Sequence, residues 1–113
     1  VAFFSATEYV FADEASYLCH YDKKVIMSYY NGKIVQINTD EASFNISITE
    51  NKIRFINEIA KTFSCDTNKE TKVMMCVWGP ETFSMDRKNL RFAAADIYPS
   101  ALSVLSAGKC ERL

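Results

Sequence analysis

The chain is poor in the residues that most chemistry needs. Among 113 residues there is one histidine, His20, with three glycines, two prolines and one tryptophan. A single imidazole excludes any mechanism built on two, and it excludes a His-rich metal site. Three glycines are too few for a phosphate cradle, and no Walker loop, dinucleotide fingerprint, HExxH, nucleophile elbow or calcium loop is present. No apolar run approaches the ~18–20 residues that a membrane-spanning helix needs. The net charge of −1 and pI of 5.8 give no global basic field to advertise nucleic-acid or membrane binding. No CxxC pair or Cys/His cluster has zinc-finger spacing, so no cofactor or metal is expected. The first residue is Val1 and no basic n-region follows, which reads as a processed or trimmed product.

What is present points to a folded single domain over residues 1–113. Apolar residues make up 49% and aromatics 13% of the chain, which argues against disorder, and the length suits one core. Acidic residues dominate 1–22 (Glu8, Asp13, Glu14, Asp22), while 52–72 hold Lys52, Arg54, Lys61, Lys69 and Lys72 against three acids. Four cysteines, Cys19, Cys65, Cys76 and Cys110, are an even number in a short chain and read as a disulfide framework rather than as free buried thiols. Three pairings are open to four cysteines. Cys19–Cys110 with Cys65–Cys76 is preferred, because the inner pair brackets a short polar loop and the outer pair ties the chain ends. Asn45-Ile46-Ser47 meets the N-glycosylation rule on the polar face of an alternating segment, and together with the cysteines it suggests a secretory route.

Local patterns suggest both element types. Ser5-Ala6-Thr7-Glu8 has the form of a capping box at a helix start. Asn31-Gly32 between Lys23–Tyr30 and Lys33–Asn38 is a type I′ hairpin signal. Ser43–Thr49 alternates strictly, with Phe44, Ile46 and Ile48 on the inward face. Over Lys52–Phe63, residues Ile53, Ile56, Ile59, Ala60 and Phe63 fall at helical spacing and predict the main helix, with Phe55 off its apolar stripe. Thr71–Trp78 reads as a central strand, Leu90–Tyr98 as another and Ser100–Ala107 as a strand in preference to a short helix. The expected fold is therefore α+β, one main helix packed on an antiparallel sheet and stapled by disulfides.

The stretch Ser16-Tyr17-Leu18-Cys19-His20-Tyr21-Asp22 is where chemistry would sit if there were any. His20 and Asp22 would share a strand face as an acid/base pair, whereas Cys19 and His20, being adjacent, would point to opposite faces of a strand and are poorly placed for each other. The plainer reading is a staple with tyrosines packed around it. Glu81, Asp86, Arg87, Lys88 and Arg91 read mainly as surface loop, although Arg with Glu could serve phosphodiester chemistry.

Tyr17-Leu18-Cys19, with Cys110 near the other end of the chain, resembles the Tyr-x-Cys layout of the RNase-like secreted effectors of cereal powdery mildew fungi. That resemblance implies a ribonuclease-like scaffold without the catalytic set, hence a secreted virulence effector and not an enzyme. It also implies delivery into host cells, binding to a host protein and detection by plant immune receptors. Candidate interaction loops are those holding Asn31, Gly32, Asp66, Asn68, Lys69, Glu81, Arg87 and Lys88. Two other readings compete. One is a small secreted ribonuclease or RNA-binding protein using Lys52, Arg54, Lys61, Arg87, Lys88 and Arg91; the other is an extracellular parasite glycoprotein that binds proteins and carries a glycan at Asn45.

Overall fold

Alternation with a period of two governs most of the described residues in the computed structural model, which are 14–30, 33–39, 43–56, 61–99 and 101–113. Nine strands follow one another: β1 (Glu14–Tyr30), β2 (Lys33–Thr39), β3 (Ser43–Thr49), β4 (Lys52–Phe55), β5 (Thr62–Thr67), β6 (Val73–Trp78), β7 (Glu81–Asp86), β8 (Arg91–Tyr98) and β9 (Leu102–Arg112). All pairings are antiparallel. The ladder runs β1-β3-β4-β5-β6-β7-β8-β9 and returns to β1, so eight strands close into a barrel, while β2 continues the ladder beyond β3 along the far half of β1. Closure removes every edge from the barrel and leaves β2 as the one edge strand among the described residues.

Turn chemistry explains the tight meander. Trp78 pairs with Glu81 across Gly79-Pro80, and Gly79 takes the φ of +56° that the turn requires. Between β5 and β6 the Asn68 side chain accepts bonds from the Glu70 and Thr71 amides at 2.9 and 3.0 Å. Between β7 and β8 Asp86 does the same for Lys88 and Asn89, at 2.9 and 3.3 Å.

Inward positions build the core. Ala15, Tyr17, Cys19, Ile46, Ile48, Ile53, Phe63, Cys65, Met74, Cys76, Phe83, Met85, Phe92 and Cys110 are all buried. The two disulfides join Cys19 to Cys110 and Cys65 to Cys76, in each case residues directly opposite one another in register. The first closes the seam between β1 and β9, and the second ties β5 to β6. Gly108 sits on the seam as well; a Cβ there would lie 1.9 Å from the His20 carbonyl oxygen and 2.7 Å from a Phe92 ring carbon, so only glycine lets the strands meet.

The helix-on-sheet, ribonuclease-like expectation is overturned: the fold is all-β, and no helix occurs among the described residues. Within Lys52–Phe63, the span read as the main helix, Lys52–Phe55 forms β4 and Thr62 and Phe63 begin β5, with Ile53 paired directly to Phe63. Residues 57–60 lie outside the described residues, as do the capping box at Ser5–Glu8 and the Asn31-Gly32 turn. The physical reason is that the sheet closes on itself, so its inner face is covered by its own strands and no apolar face remains for a helix to cover. β-Branched Ile53 suits a strand, and Phe55, which lies off the helical stripe, falls inward at period two.

Candidate ligand-binding site at the barrel mouth

A single extra residue shapes the site. Tyr21 pairs with Gly108 and Lys23 with Ala107, so Asp22 is a bulge in β1. Before it the odd residues Ala15, Tyr17, Cys19 and Tyr21 point inward; after it the even residues Lys24 and Ile26 do. The bulge therefore swings a lysine and an isoleucine over one end of the barrel. Among the described residues that end is open, and it holds a cavity of about 190 Å³.

The cavity floor is aromatic. Phe44 and Phe55 stack with centroids 5.4 Å apart and planes at 16°, and Phe83 and Phe92 stack at 5.5 Å and 8°. The two stacks meet edge to face, Phe44 on Phe92 at 84° and Phe55 on Phe83 at 90°. Tyr21 adds an edge contact to Phe92 at 5.7 Å. Each such pair contributes roughly 0.5–1.5 kcal/mol beyond area burial, so the floor is firm as well as apolar.

The rim is charged. Lys24, Lys61, Glu81 and Asp96 line the mouth together with Ser106 and the apolar Ile26, Ala94 and Val104. Glu81 is a buried carboxylate, 5% exposed, and it is matched: Lys61 Nζ lies 3.0 Å from its oxygens and the Tyr98 hydroxyl donates to Oε2 at 2.6 Å. Lys61 also sits 5.1 Å from the Trp78 ring centroid, and Lys24 lies 5.1 Å from that of Tyr21. The bond to Glu81, then desolvation and the carboxylate charge, push the Tyr98 phenol up from its ordinary 10.0.

The structure scatters the other sequence candidates. His20 faces outward and lies 3.6 Å from Glu111, both well exposed, while Asp22 meets Arg91 at 3.7 Å; His20 and Cys19 point to opposite faces. Cys19 is in a disulfide and Tyr17 is packed in the core, which answers the staple-or-chemistry question in favour of the staple. Asp66, Asn68, Lys69, Arg87 and Lys88 gather at the closed end, where the Arg87 amide donates to the Lys72 carbonyl at 3.0 Å. Glu81 belongs instead to the mouth, and Asn31 and Gly32 lie outside the described residues. The basic candidates form no single groove: Lys52 and Arg54 lie on β4, Arg87 and Lys88 on the β7–β8 turn three strands away, and Lys61 lines the cavity. Asn45 is half-buried on β3, its Ser47 partner bonded to Glu14 at 3.2 Å.

Among the described residues no group of three His, Cys, Asp or Glu side chains could hold a metal ion, and no helix is long and apolar enough to cross a membrane. The chain matches no family model, no curated protein and no solved structure. Sequence reasoning missed the mouth because its lining comes from β1 and from six strands between β3 and β9. The available signal was the change of alternation at Asp22, which marks the bulge.

Proposed function

We propose that this is a small secreted ligand-binding protein, not an enzyme, whose barrel mouth takes up a compact molecule with an apolar body. The observation that carries this reading is the half-open cavity of about 190 Å³ with an aromatic floor and a polar rim. Small-molecule sites are of this kind, largely preformed and mostly apolar with a few convergent polar groups, and barrel mouths are a usual place for them. The two disulfides support a life in an oxidising compartment. The test is a ligand screen by NMR with small aromatic and aliphatic molecules. Shifts confined to Tyr21, Phe44, Phe92, Ala94 and Val104 are expected; shifts at no residue, or only on the outer barrel face, would contradict the proposal.

A second reading, binding to a host or other protein partner, is favoured by β2. It is an edge strand whose Ile34, Val35 and Ile37 are 64%, 42% and 49% exposed, an arrangement suited to strand addition. Val35→Lys should then weaken capture of a partner while leaving thermal stability unchanged. The effector function attached to the Tyr17-Leu18-Cys19 resemblance now draws support from this strand and not from a ribonuclease-like scaffold.

A further inference from the structure

We propose that the mouth selects electrically neutral ring compounds carrying one hydrogen-bonding group, phenols and indoles being the chemical class, and that it discriminates against charged analogues of the same ring. This rests on the ligand-binding reading above and specifies its ligand.

The charge count of the lining carries the argument. Among the described residues two ammonium groups, Lys24 and Lys61, stand with two carboxylates, Glu81 and Asp96, so the described lining sums to zero. The deepest charge is already neutralised in place, because Lys61 reaches both Glu81 oxygens at 3.0 Å and Tyr98 donates to Oε2 as well. A ligand cation seated on Glu81 must displace Lys61, and a ligand anion seated on Lys61 must draw it from Glu81. Drawing Lys61 away leaves the buried Glu81 carboxylate without its cation, and displacing Lys61 costs this part-buried ammonium its ion pair. A neutral ligand disturbs neither partner, and the Ser106 hydroxyl offers a hydrogen bond at the rim.

Shape argues for the ring. A cavity of about 190 Å³ exceeds the roughly 150 Å³ that suffices for a benzene-sized guest and is too small for a long folded chain. The floor is built of rings at near right angles, its two stacks crossing at 84° and 90°, with Phe44 and Phe55 as its half-buried members. A flat guest can therefore make stacked and edge contacts together.

Three probes with one ring and three charges test this: indole, indole-3-acetate and tryptamine, titrated by calorimetry into the intact, disulfide-bonded protein at pH 7. Indole is expected to bind at least ten-fold more tightly than either charged probe. Equal or tighter binding of a charged probe would overturn the selectivity while leaving ligand binding standing. Binding of none of the three at millimolar concentration would overturn both. Two rim variants sharpen the result. Asp96→Asn leaves the lining at +1 and should move the preference several-fold toward indole-3-acetate, and Lys24→Met leaves it at −1 and should move it toward tryptamine. Folded variants with unchanged preference would show that charge balance does not select the ligand.

Discussion

At the closed end of the barrel Ile48, Ile53, Met74 and Met85 are no more than 1% exposed, whereas at the mouth Tyr21, Phe44, Phe55 and Ala94 are only half-buried. Both sets occupy inward positions of one barrel, and β3 and β4 each contribute to both, Phe44 with Ile48 and Phe55 with Ile53. The closed end is filled by flexible and β-branched aliphatics that interlock, and the mouth by flat rings that leave a void, with two lysines and two acids around it. The difference teaches that strand alternation fixes which residues face inward, while side-chain shape decides whether the interior is core or site.

The largest effect expected concerns the seam that makes the barrel whole. Replacing Cys19 and Cys110 together by alanine opens a loop with a sequence separation of 91 and should cost about 4.6 kcal/mol in the chain-entropy model; the Cys65/Cys76 pair, separated by 11, should cost about 2.8 kcal/mol. Urea unfolding measures both, and a reversed order would mean that the seam is held chiefly by its neighbours. Next, Ile53→Ala at the closed end should cost about 2–4 kcal/mol and Val104→Ala at the mouth about 1 kcal/mol, because the mouth residue is already half solvated. Equal costs would erase the distinction between the ends. Gly108→Ala should cost about 2–3 kcal/mol by overpacking the seam against His20 and Phe92, visible as a lowered Tm.

The smallest effect is a pH dependence at the mouth. The folded state favours the neutral Tyr98 phenol, so its contribution is fully present below pH 10 and is lost as pH rises through the raised value. Tyr98→Phe should flatten the alkaline limb of the stability curve slightly, and an unchanged limb would place the titration elsewhere.

Much of the strand content was legible in the sequence. Phe44, Ile46 and Ile48 could be placed inward from alternation alone, and the hairpin expected at Asn31-Gly32 has its strands in register as β1 and β2, although Val35 and Ile37 on β2 are exposed. The cysteine count pointed to two disulfides. The error lay in Lys52–Phe63, where isoleucines at helical spacing also satisfy two short strands joined by a turn. Local periodicity cannot separate these cases when neither strand exceeds six residues. The preferred Cys19–Cys110 pairing already brought the two ends of the chain together, but not the closed ladder, which needs β1 and β9 to pair along their length and the intervening strands to follow as a meander. The site was missed for the same reason: Lys24, Lys61, Glu81 and Asp96 converge only once the barrel closes. What was read as a charged surface stretch after Trp78 in fact begins with a buried carboxylate.

The most direct test of the account is to fill the mouth. Ala94 lies inward on β8 between Phe83 and Ser106 and lines the cavity. Ala94→Leu should leave Tm unchanged or raise it by a few degrees, since the added methylenes enter existing space, and should abolish the indole binding expected of the unsubstituted protein, both titrated by calorimetry. Undiminished indole binding, or a Tm falling as it would for an overpacked core, would show that the space at the mouth is not the binding site.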